Sequence, residues 1–340
     1  MPSGLASRTL HTSFLQRLPL AHRFHRHMMP LYPAATEGLD LRGFELVISS
    51  DSGPVKGVRV DPEATHICYC HSPMRYLYDG YPAYRAGMKG ATRVLFTMTA
   101  GRVRAWDRDA ARRVTDFVAN SHYVADRIWR CYGRESTVIP PPIDLANARR
   151  ATPEEHYLTA GRLVAYKRTE LMIEACQQLG RTLRLVGAGP EMARLKRLAG
   201  PETTFLGELS TEALWNEYAR CRALLFAADE DFGMVPLEAQ VCGRPVIAFG
   251  AGGSLETVRG VGPGATGVYF EQQTVASLAE GIRRFEAMEQ EFDPERALAW
   301  AESFRTELFL KRMRAHVLRV LPSAVEAMGS QDAPAPAAAH

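Results

Sequence analysis

The sequence predicts an α/β protein of two lobes, the second of them built on a doubly wound parallel sheet. In that lobe short apolar runs alternate with helical patterns, which is typical of parallel strands joined by crossover helices. Three consecutive prolines at 140–142 force an extended link between the lobes. With 340 residues, 46% of them hydrophobic, the chain is long enough for two packed domains.

The predicted elements follow in chain order. Residues 1–43 contain no strand-like run. Apolar runs predict three strands in the first lobe, at 44–48, 65–69 and 116–119. In the second lobe strands are predicted near Tyr157, Leu183, Phe205, Leu224 and Val246. Further helices are predicted near Leu278, near Ala297 and at 304–321, and the Ala-Pro tail lacks the apolar content to fold.

The segment 230–243, EDFGMVPLEAQVCG, carries the most functional information. The apolar run at 223–227 predicts a buried strand before it, and 235–240 predicts a helix that tolerates Pro236 in its first turn. Gly243 ends that helix, and another apolar strand follows at 245–249. The unit is a parallel crossover, and ligands of such sheets bind where strands end and helices begin.

The residues of this loop suit a ligand that carries both phosphate and hydroxyl groups. Backbone N–H groups around Phe232, Gly233 and Met234 are expected at a helix start, where they favour an anion. Glu230 and Glu238 flank the turn and cannot bind phosphate themselves, so they are expected to accept hydrogen bonds from hydroxyls. A nucleotide-sugar has both kinds of group. The alternative is that both carboxylates are solvated charges at a helix N-terminus.

The same segment resembles the signature of glycosyltransferase family 4, a family of retaining enzymes with the GT-B fold. The likeness begins with Glu230 and Glu238, eight positions apart around Phe232-Gly233, and continues through Gly243-Arg244-Pro245. Other blocks agree in order, at 70–76, 119–121, 139–144, 161–168, 187–190, 205–207 and 252–257. The resemblance covers roughly residues 11–319. Within the family, the blocks resemble those of bacterial mannosyltransferases that use GDP-mannose to build surface polysaccharides.

The resemblance implies a domain organisation. Two Rossmann-like domains are expected to face a cleft, with an acceptor-side domain at 1–148 and a donor-binding domain at 149–300. A helix at 301–325 is expected to return to the first domain, and 326–340 is expected to be a disordered tail. Relatives open with a strand and a glycine-rich loop that the first 43 residues do not show, so the first domain is expected to be truncated.

The resemblance also assigns roles to single residues. Arg162 and Lys167 neutralise the departing nucleoside diphosphate, and two cations at the carboxyl end of a strand suit that role, although solvated surface cations are the alternative. Glu238 holds the ribose hydroxyls and Glu230 faces the transferred sugar. His71 approaches the donor sugar. The alternative is that His71 has a purely structural role. Three further residues border the nucleobase and diphosphate: Gly187, Gly189 and Leu206.

The function expected from this resemblance is transfer of a hexose, with mannose preferred, from a nucleoside diphosphate to a glycan or a lipid-linked acceptor. No cofactor and no metal are expected. Asp107 and Asp109 have the form of a metal pair, but they stand among arginines in a helical stretch, so ion pairing explains them better. Two alternatives stay open: a non-catalytic nucleotide-sugar-binding protein and a sugar-nucleotide 2-epimerase.

Charge and cysteine usage suggest where such a protein works. Up to Arg150 the chain has 21 Lys and Arg against 13 Asp and Glu, whereas the remainder has 20 against 25. A basic first half suits a peripheral enzyme at an anionic membrane, with ordinary charge scatter as the alternative. The sequence has no basic run interleaved with aromatic residues, so a nucleic-acid partner is not predicted. The six scattered cysteines are typical of reduced thiols in a cytoplasmic protein. Together with the charge, they predict a cytoplasmic enzyme at the inner face of the membrane.

Overall fold

The computed structural model describes residues 9–18, 25–260, 262 and 264–321. They divide into two compact units. The first unit contains the described residues up to Asn120, Val124–Ile139 and those from Met313 onward, and the second contains Ser121–Tyr123 and Pro140–Arg312. The disordered tail predicted at 326–340 lies outside the described residues.

The first unit is built on a four-stranded parallel sheet with the order β1-β2-β3-β4. Its strands are β1 (Leu46–Asp51), β2 (Thr65–Cys70), β3 (Asp116–Ala119) and β4 (Thr137–Val138). β2 is buried along its whole length because it has a strand on either side and helices over its faces. Cys68 and Cys70 therefore lie in the core beside Phe117, as alternation along a strand predicts.

Among the described residues before Pro140, four α-helices accompany this sheet. They are α1 (Tyr32–Glu37), α2 (Tyr81–Gly87), α3 (Gly90–Arg113) and α4 (His122–Tyr132). The long α3 buries Phe96, Ala100 and Val103 along one side, at the spacing of a helix that packs with a single face. A short 3-10 helix, Val55–Gly57, follows β1 and is in contact with α3.

The second unit is built on a six-stranded parallel sheet with the order β10-β9-β8-β5-β6-β7. Its strands are β5 (Tyr157–Ala160), β6 (Leu183–Val186), β7 (Thr203–Gly207), β8 (Ala223–Phe226), β9 (Val246–Phe249) and β10 (Gly267–Phe270). Alternate residues of β5 and β8 enter different apolar clusters, with Leu158 and Leu224 in one and Tyr157 and Leu225 in the other. The sheet is therefore covered on both faces.

The helices of this half complete the doubly wound pattern. They are α5 (Thr169–Leu179), α6 (Met192–Leu198), α7 (Thr211–Arg220), α8 (Met234–Val241), α9 (Ser254–Thr257), α10 (Val275–Met288), α11 (Pro294–Glu302) and α12 (Thr306–Val320). The side chains of Ser210, Thr274 and Asp293 cap the starts of α7, α10 and α11. The division between the units falls within α12, at Met313.

The predicted α/β class and the parallel sheets are confirmed. The strand predicted at 44–48 was placed too early, since β1 runs from Leu46 to Asp51 and Phe44 is exposed. The two-residue β4 and the four-residue β10 were not predicted. Across the described residues no helix has the length and apolar character needed to cross a bilayer.

Candidate functional site

The strand order of the second unit places a topological switch between β5 and β8. From β5 the chain proceeds to β6 and β7 on one side, whereas β8 is followed by β9 and β10 on the other. Loops that leave neighbouring strands in opposite directions open a crevice at the carboxyl ends of those strands. The loop after β5 contains Arg162 and Lys167, and the loop after β8 contains Glu230. The family resemblance assigns these residues to one ligand.

Lys167 and Glu230 meet across this switch point. Lys167 Nζ lies 3.1 Å from Glu230 Oε1, and both side chains are about four-fifths buried, with exposed fractions of 19% and 22%. The Tyr166 hydroxyl donates to the same Glu230 oxygen at 3.4 Å. Arg162 is exposed and lines one pocket together with Lys167 and Thr169. The two predicted cations therefore border a common space, with a carboxylate beside one of them.

The loops after β5 and β6 are packed backbone against backbone. Leu163 N donates to Ala188 O at 2.9 Å, and Gly161 N donates to Val186 O at 3.0 Å. A Cβ on Gly187 would lie 2.0 Å from the carbonyl oxygen of Gly161, and one on Gly189 would lie 2.2 Å from that of Leu163. Both glycines are thus required by this close approach, and their predicted place beside a nucleobase stays a prediction.

The start of α8 presents free backbone donors. Gly233 precedes the helix in the left-handed region, with φ of 93°, which a residue without Cβ adopts readily. In the part of the chain that the structure describes, no oxygen accepts from the N–H groups of Gly233 and Met234. Phe232 is 4% exposed and its ring packs edge-on to Phe304, so its side chain belongs to the core. These donors suit an anion.

Glu238 lies one turn into α8 and is partly buried. The hydroxyl of the buried Tyr218 donates to Glu238 Oε2 at 2.6 Å. Burial raises the pKa of the Glu238 carboxyl, and the Tyr218 hydrogen bond and the charge of Lys167 oppose that rise. Tyr218 had not been predicted, because it precedes Glu238 by 20 positions on a different helix and carries no motif.

The remaining predicted residues differ in position. Leu206 is half-buried in β7 and packs against one of the two cores of the second unit. His71 belongs to the first unit, where it follows β2. Its Nε2 lies 2.8 Å from Ser50 Oγ, its N–H donates to the Asp51 carbonyl at 2.7 Å, and its own carbonyl accepts from the side-chain amide of Asn120 at 3.1 Å. These contacts fix its backbone and ring to the end of β1.

The interpretation of Asp107 as a partner of nearby arginines was wrong. Asp107 is fully buried and pairs with Lys56 at 2.5 Å, while Lys56 also lies 3.2 Å from Asp51. Burial lowers the pKa of Lys56, but the two carboxylates outweigh it and hold that pKa above its ordinary value. Asp109 does pair with Arg112, at 2.9 Å on the surface. Among the described residues, His, Cys, Asp and Glu form no cluster of three or more that could hold a metal ion.

Comparison with known proteins agrees with this organisation. The family described as Glycosyltransferase Family 4 matches residues 5–147, and the family described as glycosyl transferases group 1 matches residues 144–304. A GDP-mannose-dependent alpha-(1-6)-phosphatidylinositol monomannoside mannosyltransferase from Mycobacterium tuberculosis is 29% identical over 59% of the chain and 62% of its own length. A D-inositol 3-phosphate glycosyltransferase from Geodermatophilus obscurus is 31% identical over 59% of the chain and 48% of its own length. The chain thus spans about half to three-fifths of these relatives.

Solved structures show the same fold. A sucrose-phosphate synthase from Thermosynechococcus elongatus matches with a TM-score of 0.62 and 21% identity, over 77% of this chain and 69% of that one. Anabaena HepE, solved in complex with UDP and glucose, matches with a TM-score of 0.54 and 18% identity, over 87% of this chain and 95% of that one. The two halves are those of a GT-B protein. The chain therefore belongs to the glycosyltransferases, with a family 4 domain followed by a group 1 domain.

Proposed function

We propose that this chain is a retaining hexosyltransferase that moves a hexose, mannose in the first instance, from a nucleoside diphosphate to a glycan or lipid-linked acceptor. The observation that carries the proposal is the contact of Lys167 with Glu230 at the switch between β5 and β8, with Arg162 on the same pocket. A cation pair beside a carboxylate at this position suits a ligand with a diphosphate next to sugar hydroxyls.

In this proposal the second unit holds the donor. Arg162, Lys167 and the backbone N–H groups of Gly233 and Met234 bind the diphosphate and stabilise the charge that grows on it as the sugar leaves. The ammonium group of Lys167 has three donors, so it can contact Glu230 and a phosphate oxygen together. Glu230 accepts from the transferred sugar. Glu238 accepts from the ribose hydroxyls, with Tyr218 occupying one of its oxygens.

The proposed transfer needs no covalent sugar–protein intermediate. The acceptor oxygen forms a bond to the anomeric carbon on the face from which the diphosphate departs, and the bond from that carbon to the phosphate oxygen breaks. The acceptor proton goes to the leaving phosphate. His71 contributes a hydrogen bond to the sugar, and its contact with Ser50 fixes the orientation of its ring. No metal is assigned a role in this scheme.

The donor and the acceptor are proposed from the names of relatives, and the location is proposed from the charge of the sequence. GDP-mannose is the preferred donor because the relative from Mycobacterium tuberculosis is described as GDP-mannose-dependent. A phosphatidylinositol mannoside or another lipid-linked acceptor is supported by the same description. The excess of cations in the first half of the sequence supports work at the cytoplasmic face of a membrane.

A donor survey followed by a transfer assay tests the proposal. The melting temperature is measured with GDP-mannose, UDP-glucose and UDP-N-acetylglucosamine, and GDP-mannose is expected to give the largest rise because a ligand that binds the native state stabilises it. Transfer of labelled mannose to a lipid extract is then expected. Donor binding without any transfer would favour a binding protein, and isomerised sugar without an acceptor would favour an epimerase.

The contact between Tyr218 and Glu238 makes a specific prediction about the donor. We expect Tyr218→Phe to raise the donor Kd by about tenfold, because a hydrogen bond to a charged group contributes about 1.5–3 kcal/mol. Loss of that bond also raises the pKa of Glu238 further. As the pH is lowered, the Glu238 carboxylate of the variant is then protonated sooner than that of the wild type. Donor binding should therefore be lost at a less acidic pH in the variant. Calorimetric titration across a pH series measures both effects.

Tyr157→Phe is the matched control for this variant. Tyr157 is also fully buried and donates its hydroxyl to a glutamate, Glu286, at 2.9 Å. Glu286 is not assigned to the donor, so this change should leave the pH dependence of donor binding unaltered. Equal shifts in the two variants would show that loss of a buried hydroxyl, rather than the placement of Glu238, causes the effect.

A further inference from the structure

The first half of α3 carries an apolar stripe on its outer side. Val94, Leu95 and Met98 are 58%, 46% and 73% exposed. With Ala91, which is also exposed, they occupy positions i, i+3, i+4 and i+7, so they lie along one face of the helix. Large aliphatic side chains are common on surfaces singly, whereas an aligned group of this kind marks an interaction site.

The described residues of the first unit leave this stripe exposed. The side of α3 that packs inward is formed by Phe96, Ala100 and Val103, and then by Asp107. Successive residues of a helix are about 100° apart, which places Val94 and Met98 opposite that inward side. The helix is thus apolar on two sides along its first half, and only one of them is covered by described residues. A second apolar side that the core leaves exposed calls for a partner outside the unit.

The charge around the stripe identifies the chemistry of that partner. Between Asp79 and Asp107 the chain has five cationic residues and no acidic one. Two of the cations are exposed next to the stripe. Lys89 lies immediately before α3, and Arg102 lies one turn after Met98 on the same side of the helix; neither pairs with a carboxylate in the described residues. Aliphatic side chains bordered by unpaired cations are typical of helices that lie in the interface of an anionic bilayer.

We propose that Val94, Leu95 and Met98, together with Lys89 and Arg102, form a membrane-docking surface that binds anionic lipid. The aliphatic side chains would enter the boundary between headgroups and acyl chains, and the cations would contact lipid phosphates. A second copy of the chain fits this surface less well, because it would bring cations against cations. The inference rests on the proposed function only in expecting the acceptor at a membrane, since docking itself needs neither donor nor acceptor.

Vesicle sedimentation with the full chain tests the proposal. The probes are vesicles of phosphatidylcholine alone and vesicles of phosphatidylcholine mixed with phosphatidylglycerol. The wild type is expected to bind the anionic vesicles more strongly. The triple change Val94→Ser, Leu95→Ser and Met98→Ser should lower that binding at least about tenfold. Changing Lys89 and Arg102 to Gln should remove the preference for anionic over neutral lipid.

The controls separate docking from folding and from catalysis. Leu310 is 58% exposed on α12, and Leu310→Ser should bind vesicles as the wild type does. The triple variant should keep the wild-type melting temperature, because its three side chains lie outside the core. Equal binding to both vesicle types, or unchanged binding of the triple variant, would overturn the inference. A dimer that the triple variant abolishes, without vesicle binding by the wild type, would assign the surface to a second copy. Vesicle binding without transferase activity would reject only the proposed function.

Discussion

Replacing Lys167 by methionine is expected to lower the transfer rate by about 10²–10³-fold, as removal of one donor to a developing negative charge does in other enzymes. Lys167 is the cation that contacts Glu230 at the switch between β5 and β8. Without it the charge on the departing diphosphate loses the less exposed of its two cationic partners. Methionine keeps much of the aliphatic length, so the packing of the loop should survive. Initial rates at saturating donor, with circular dichroism as a check on folding, measure the effect.

Lys196→Met is the matched control for this change. Lys196 is an exposed lysine of the same unit, on α6, and its ammonium group lies over the ring of Phe205. This variant should transfer at the wild-type rate. Glu230→Ala should lower the transfer rate at least as much as Lys167→Met does, because the two side chains form one pair. Turnover near the wild-type level in either site variant would remove Lys167 and Glu230 from the active site.

Asp107→Ala is expected to lower the unfolding free energy of the first unit by about 3–5 kcal/mol, the usual cost of removing one member of a buried ion pair. Asp107 is fully buried against Lys56, and it accepts hydrogen bonds from the hydroxyls of Tyr78 and Tyr132 at 2.8 and 2.9 Å. Its loss would leave both hydroxyls without this partner and would weaken the compensation of the Lys56 charge. Hydrogen exchange at the amides of β2 and β3 reports the stability of this unit.

Asp109→Ala provides the comparison on the same helix. Asp109 is two positions further along α3 and its pair with Arg112 is exposed, with side-chain exposures of 59% and 77%. An exposed ion pair contributes about 0–1 kcal/mol, so hydrogen exchange should change little. Similar losses in the two alanine variants would contradict the role assigned to the buried network of Lys56, Asp51 and Asp107.

Much of the fold was predictable because its strands are short, apolar and separated by helical patterns. The strand at 116–119 and the helix around Pro236 agree closely with the structure. β10 was not predicted because it follows directly on a glycine-rich stretch, which gives no periodic signal that would mark where a strand begins. β1 was placed two residues early because Phe44 resembles a strand residue, although its side chain is exposed.

The candidate site was predictable where one motif contains both the residue and its context. Glu230, Gly233 and Glu238 lie on a single strand–loop–helix unit, and the structure places them at the end of β8 and the start of α8. Tyr218 was missed because its contact with Glu238 joins two helices that sequence spacing does not connect. Asp107 was assigned to the wrong partners for the same reason, since Lys56 is 51 positions away along the chain.

A crystal structure of the protein with GDP tests the central claim most directly, because that claim is about where a nucleoside diphosphate lies. We expect its phosphate oxygens within hydrogen-bond distance of Lys167 Nζ and the Arg162 guanidinium, and its ribose hydroxyls on the carboxylate of Glu238. A nucleotide bound elsewhere on the protein, or one whose diphosphate contacts neither cation, would contradict the account.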